Sequence, residues 1–107
     1  MFANEKTAAV IIEPIQGEGG VREVPKQCLE GLRKICDENN SLLIFDEVQC
    51  GMGRTGKLFA YEWSEVNPDI MTIAKAIGNG FPLGVCLTSK EVGGKMDFGS
   101  HGSTFGG

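Results

Sequence analysis

Residues 7–46 read TAAVIIEPIQGEGGVREVPKQCLEGLRKICDENNSLLIFD, and the order of apolar stretches within them decides the fold. Thr7–Ile12 is a short unbroken apolar run closed by Glu13-Pro14, where the proline stops ladder pairing. Gln16–Gly20 reads as a loop. Pro25–Asn40 carries Cys28, Leu29, Leu32, Ile35 and Cys36 at three- and four-residue spacing. That spacing predicts an amphipathic helix, with Pro25 in its first turn and Asn39-Asn40 at its end. Leu42–Phe45 is a second unbroken apolar run, followed by Asp46. Run, helix and run form a βαβ unit, and strands without polar alternation predict a parallel sheet covered on both faces.

Beyond Asp46 the pattern continues with shorter elements. Gly51–Gly56 is a loop, Leu58–Val66 predicts a short helix, and Ile70–Ala74 a third strand ending at Lys75. Tyr61 and Trp63 read as packing residues of that helix. Gly78–Pro82 turns the chain into a fourth strand over Gly84–Thr88, and Phe98–Gly107 reads as loop. The expected class is α/β, part of a mostly parallel sheet flanked by helices.

Composition narrows the function. The chain has 107 residues and a formal net charge of -4, against clustered positive charge for nucleic acid or an anionic membrane. It holds no apolar stretch of about 18 residues, as a membrane-spanning helix needs. Met1–Lys6 carries Glu5 and no apolar core, so it does not read as a secretory leader. The four cysteines, Cys28, Cys36, Cys50 and Cys86, form no C-x-x-C, and His101 is distant from any pair. They read as free thiols in a reducing, cytoplasmic setting rather than as a metal site. Glycine is the outlier at 16 residues, about twice average usage, which implies many tight backbone positions.

Three apolar runs each end in an ionisable residue: Glu13, Asp46 and Lys75. Ligands of open α/β sheets sit outside the carboxyl ends of the strands, so parallel strands would aim these groups at one crevice. A buried lysine there can become a nucleophile toward a carbonyl. An aspartate can hold a pyridinium nitrogen protonated. Against this stands the plainer reading that strand ends are wet and charged residues collect there.

Gly51–Lys57 (GMGRTGK) offers a competing reading as a nucleotide site. Gly51, Gly53 and Gly56 spell G-x-G-x-x-G, and the stretch nearly spells a phosphate-binding G-x-x-x-x-G-K. The residue after Lys57 is Leu58, without the hydroxyl that would hold a magnesium ion, and Asp46–Cys50 separates the glycines from the strand.

Four stretches in order are more specific: EPIQGEGG (13–20), LIFDEVQCGMGRTG (43–56), PDIMTIAKAIGNGFPLG (68–84) and HGSTFGG (101–107). Together they resemble the class III aminotransferases, which depend on pyridoxal 5′-phosphate. The resemblance implies a fold-type I large domain. It implies that Lys75 carries the cofactor covalently and moves the proton of the reaction, and that Asp46 pairs with the pyridine nitrogen. It further implies that Gln49 contacts the ring hydroxyl and that Glu18 neutralises an arginine beside the substrate pocket. Glu13 reads, from its strand-end place, as a support of the site or as a purely structural residue. Thr104 would contact the cofactor phosphate of the neighbouring subunit in a homodimer. Amino-acid and 2-oxo-acid substrates follow, with neither nucleic acid nor membrane as a partner. Members of this family are several domains long. Residues 1–107 are therefore expected to be the middle of the large domain, without the N-terminal segment or the C-terminal small domain, and inactive alone. A non-catalytic structural fragment is the remaining alternative.

Overall fold

The computed structural model describes Asn4 and residues 6–102. The first apolar run forms β1 (Ala9–Ile12). Ile15–Gln16 (β2) and Arg22–Glu23 (β3), for which the sequence predicts no element, pair as a small antiparallel hairpin around the turn at residues 17–20, where the loop was expected. The amphipathic stretch becomes α1 (Lys26–Glu38), with Pro25 immediately before its first turn rather than within it. The second run is β4 (Leu42–Asp46). The predicted helix over Leu58–Val66 shrinks to the single turn α2 (Tyr61–Ser64), stopped by Glu65 in a left-handed conformation. The third run gives β5 (Ile70–Ile73), then a 3-10 turn over Lys75–Gly78. β6 (Val85–Thr88) follows, and then a turn of helix not anticipated from the sequence, α3 (Lys90–Gly93), capped by the Ser89 hydroxyl.

The main sheet has the order β1-β4-β5-β6. β1, β4 and β5 run parallel, and β6 closes one edge antiparallel to β5. α1 packs on one face through Leu29, Leu32 and Cys36 against Leu43 and Phe45, with Val10, Ile12 and Tyr61 at the margin. Burying each large side chain contributes about 1.5–3 kcal/mol. Cys28 falls outside the buried stripe and is exposed. Trp63, expected to pack, is 55% exposed, and the Lys57 ammonium lies 4.4 Å from its ring centre.

The second face of the sheet departs from expectation. Alternation and register place Ile11, Ile44, Ile70 and Cys86 there, and none of them is buried. Ile11 is 64% exposed. Among the described residues the sheet is covered on one face only, although the strands carry apolar side chains on both. Asp46 and Thr72 sit at the carboxyl end of this open face.

Candidate functional site

Asp46 is the last residue of β4 and stands opposite Thr72 in the parallel pairing with β5. Its Oδ1 accepts the Val48 amide at 3.0 Å and the Thr72 hydroxyl at 3.4 Å. Both bonds fall on one carboxylate oxygen, which leaves Oδ2 for a further donor. The chain then makes a tight turn in which the Gly51 amide donates to the Glu47 carbonyl at 2.9 Å. A Cβ on Gly51 would stand 2.8 Å from that oxygen, so only glycine closes the turn undistorted.

Gln49 lies inside this turn, and its Nε2 donates to Glu18 Oε1 at 3.2 Å. The contact joins the loop after β4 to the hairpin loop after β2. Gly17 belongs to the same arrangement, because a side chain there would collide with that of Gln49. Glu13 turns back to accept the Gly17 amide at 3.0 Å, bracing the loop that presents Glu18. Ile15, Gly17, Val21, Gln49, Arg54 and Thr55 line a cleft between the two loops.

Lys75 opens the 3-10 turn just past β5, the strand next to Asp46. It is exposed, not buried as a desolvated nucleophile would be. Its backbone is left-handed, with φ at 48°, a strained choice for a residue bearing a Cβ. Asp46, Gln49, Glu18, Glu13 and Lys75 thus gather at the carboxyl ends of β1, β4 and β5. Thr104 lies outside the described residues.

Sequence reasoning passed over Glu47, which is only 1% exposed. Its Oε2 accepts the Ala60 amide at 2.7 Å and its Oε1 the Tyr61 amide at 2.8 Å. Burial pushes its carboxyl above the ordinary value more strongly than these two donors pull it down. The available signal was the second acid directly after an apolar strand, since alternation sends Glu47 to the face opposite Asp46. Burial likewise pushes the Cys50 thiol up to about 11.

The nucleotide reading of Gly51–Lys57 finds no support. The stretch opens no helix, and the single helical turn at Tyr61 has its leading amides taken by the Glu47 carboxylate. The strand-end cluster suits pyridoxal 5′-phosphate better. A carboxylate oxygen with capacity for a donor, a primary amide and an exposed primary amine match a basic ring nitrogen, a ring oxygen and a carbonyl.

Comparison with known proteins points the same way. The chain is 63% identical over 107 residues to acetylornithine aminotransferase 2 of Caulobacter vibrioides, a match spanning 99% of this chain and 26% of that protein. The crystal structure of ornithine aminotransferase from Toxoplasma gondii superposes with a TM-score of 0.89 at 41% identity, over 95% of this chain and 24% of the other. N-acetylornithine aminotransferase from Stenotrophomonas maltophilia gives a TM-score of 0.81 at 49% identity, over 84% of this chain and 25% of the other. The chain therefore spans about a quarter of the length of these relatives. The family described as aminotransferase class-III matches residues 2–107, and the chain belongs to that family.

Proposed function

We propose that the polypeptide carrying this chain is an aminotransferase that exchanges an amino group between an ornithine-type amine, acetylornithine foremost, and 2-oxoglutarate, as in arginine biosynthesis. The observation that carries this reading is the placement of Asp46 at the end of one parallel strand and Lys75 just past the end of the next, in a chain 63% identical to an acetylornithine aminotransferase. Pyridoxal 5′-phosphate, when bound, supplies an electron sink for the negative charge left on the substrate α-carbon.

Each residue has a distinct task in this reading. Lys75 Nζ would hold the cofactor and, once free of it, would be the base that takes the substrate α-proton and the acid that gives it back. Asp46 Oδ2 accepts the hydrogen bond of the protonated pyridine nitrogen and keeps that nitrogen cationic. Gln49, with one amide hydrogen on Glu18, has a second for the ring oxygen. Glu18 would neutralise an arginine at the substrate pocket, and Glu13 holds its loop through the Gly17 amide. Residues 1–107 act as part of a cofactor-binding domain in a cytoplasmic homodimer, with Thr104 reaching the neighbouring subunit's phosphate site. The 107 residues alone bind the cofactor weakly and do not turn over.

Borohydride reduction of the full gene product with pyridoxal 5′-phosphate, followed by peptide mapping, tests the assignment. Modification is expected at Lys75. Labelling spread over Lys26, Lys34, Lys57, Lys90 and Lys95 without preference for Lys75 would overturn it.

A further inference from the structure

Glu47 stands beside Asp46 in sequence but serves neither cofactor nor substrate directly, because its side chain is buried on the far side of the strand end. A carboxylate with 1% exposure is costly unless its oxygens are satisfied. Here both are satisfied by backbone amides, those of Ala60 and Tyr61, thirteen and fourteen residues downstream. The charged neighbour acting on it is Glu62, a like charge, so the site is not an ion pair. The same residue is fixed twice more through its backbone. Its amide donates to the Thr72 carbonyl at 2.9 Å, and its carbonyl accepts the Gly51 amide.

We infer that Glu47 is a positioning residue: it clasps the 48–59 loop shut against the start of α2 and so sets where the Gln49 side chain is presented. The three anchors lie on three different segments, β5, the Gly51 turn and the Ala60-Tyr61 pair. Gln49 sits between Glu47 and Gly51, two residues from each. Opening the clasp frees the far end of the loop, and the Gln49–Glu18 contact loses its fixed partner. This inference rests on the functional reading above, in which Gln49 meets the cofactor.

A double-mutant cycle tests it. Glu47→Gln and Gln49→Ala are made singly and together in the full gene product. Pyridoxal 5′-phosphate dissociation constants are measured alongside amide hydrogen exchange at Ala60 and Tyr61. Glu47→Gln keeps the shape but turns an acceptor into a donor facing an amide, so exchange rises and cofactor binding weakens by about tenfold each. Gln49→Ala weakens binding by about as much. The double variant should lose little more than the larger single loss, since both changes act through one side chain. Losses that multiply, to about a hundredfold, would overturn the inference, as would faster exchange with unchanged binding. Glu47→Asp should recover part of both readouts, and it takes the place of Glu47→Gln if that variant does not fold. Wild-type protein that takes up no cofactor overturns the functional reading and this inference together, whereas multiplying losses in a protein that does bind overturn this inference alone.

Discussion

Thr72 donates its hydroxyl to Asp46 Oδ1 across 3.4 Å, between two residues that face each other in the parallel pairing of β4 and β5. The bond is long, so its energy sits at the low end of the range, about 0.5 kcal/mol. Its consequence is orientation, because it holds one oxygen of Asp46 to the sheet and leaves the other for the site. Thr72→Val keeps the branched shape and removes the donor. It should lower the urea unfolding free energy by about 0.5 kcal/mol and weaken pyridoxal phosphate binding by less than about tenfold. A larger loss of binding with the same small loss of stability would show that the hydroxyl touches the cofactor itself.

Lys75 holds its backbone at φ 48°, where a Cβ costs about 1–2 kcal/mol. The amine and the strain can be separated by comparing two substitutions. Lys75→Ala removes the amine and keeps the strain, whereas Lys75→Gly removes both. Both variants should lose borohydride-stable labelling. Lys75→Gly should nevertheless unfold at higher urea than Lys75→Ala, by about 1 kcal/mol. Equal stabilities would mean that the turn after β5 relaxes once the lysine is gone.

The sheet was legible because its signal is local and redundant. Three apolar runs and one helical stripe name β1, α1, β4 and β5 without ambiguity, and the acids and amine at their ends mark the crevice. The hairpin of β2 and β3 was hidden because two-residue strands have no periodicity to detect. Cys28 satisfied the helical spacing yet lies outside the buried stripe, since a spacing rule does not say how wide the covered stripe is. The apolar outer face of the sheet led to an expectation of two covering layers, and the described residues supply one. Glu47 escaped notice because its partners are backbone amides more than a dozen residues away, which no side-chain motif encodes. The same holds for the bond between Gln49 and Glu18, two residues recognised separately whose contact only the fold brings about.

Asp69 makes a joint at the opposite end of the sheet. Its Oδ2 accepts the Leu43 amide at 2.7 Å and Arg33 Nη1 at 2.8 Å, tying β4, the head of β5 and α1 together. Removing the carboxyl strands a strand amide and leaves Arg33 with Asp37 as its remaining ion partner. Asp69→Ala should cost about 1–3 kcal/mol in chemical unfolding, while Asp69→Asn, which retains an acceptor oxygen, should cost less. Cofactor binding per folded molecule should not change in either, since this joint lies at the other ends of the strands.

Cys50 is 5% exposed, and burial pushes its thiol up to about 11. The thiolate is the reactive form, so at neutral pH the folded protein holds almost none of it. Iodoacetamide should leave Cys50 unlabelled in the native protein and modify it in urea, as read by mass spectrometry. Native labelling at Cys50 at the rate of an exposed thiol would mean that the 48–59 loop opens readily.

Glu47 makes stability depend on pH with a definite sign. Burial raises its carboxyl in the folded state above the ordinary 4.5 expected when unfolded. Between those two values the folded chain binds more protons than the unfolded chain, so stability falls as pH rises through the window. The contribution is fully present below the unfolded value and lost above the folded one. Glu47→Gln has no proton to lose there, and groups remote from Glu47 cancel in a comparison of the two proteins, leaving Glu47 and its like-charged neighbour Glu62. The stability of wild type relative to Glu47→Gln should therefore be greater at pH 4.5 than at pH 7.5, with urea titrations at both pH values as the measurement. A difference that grows with pH instead would mean that the amides of Ala60 and Tyr61 outweigh burial and hold Glu47 ionised.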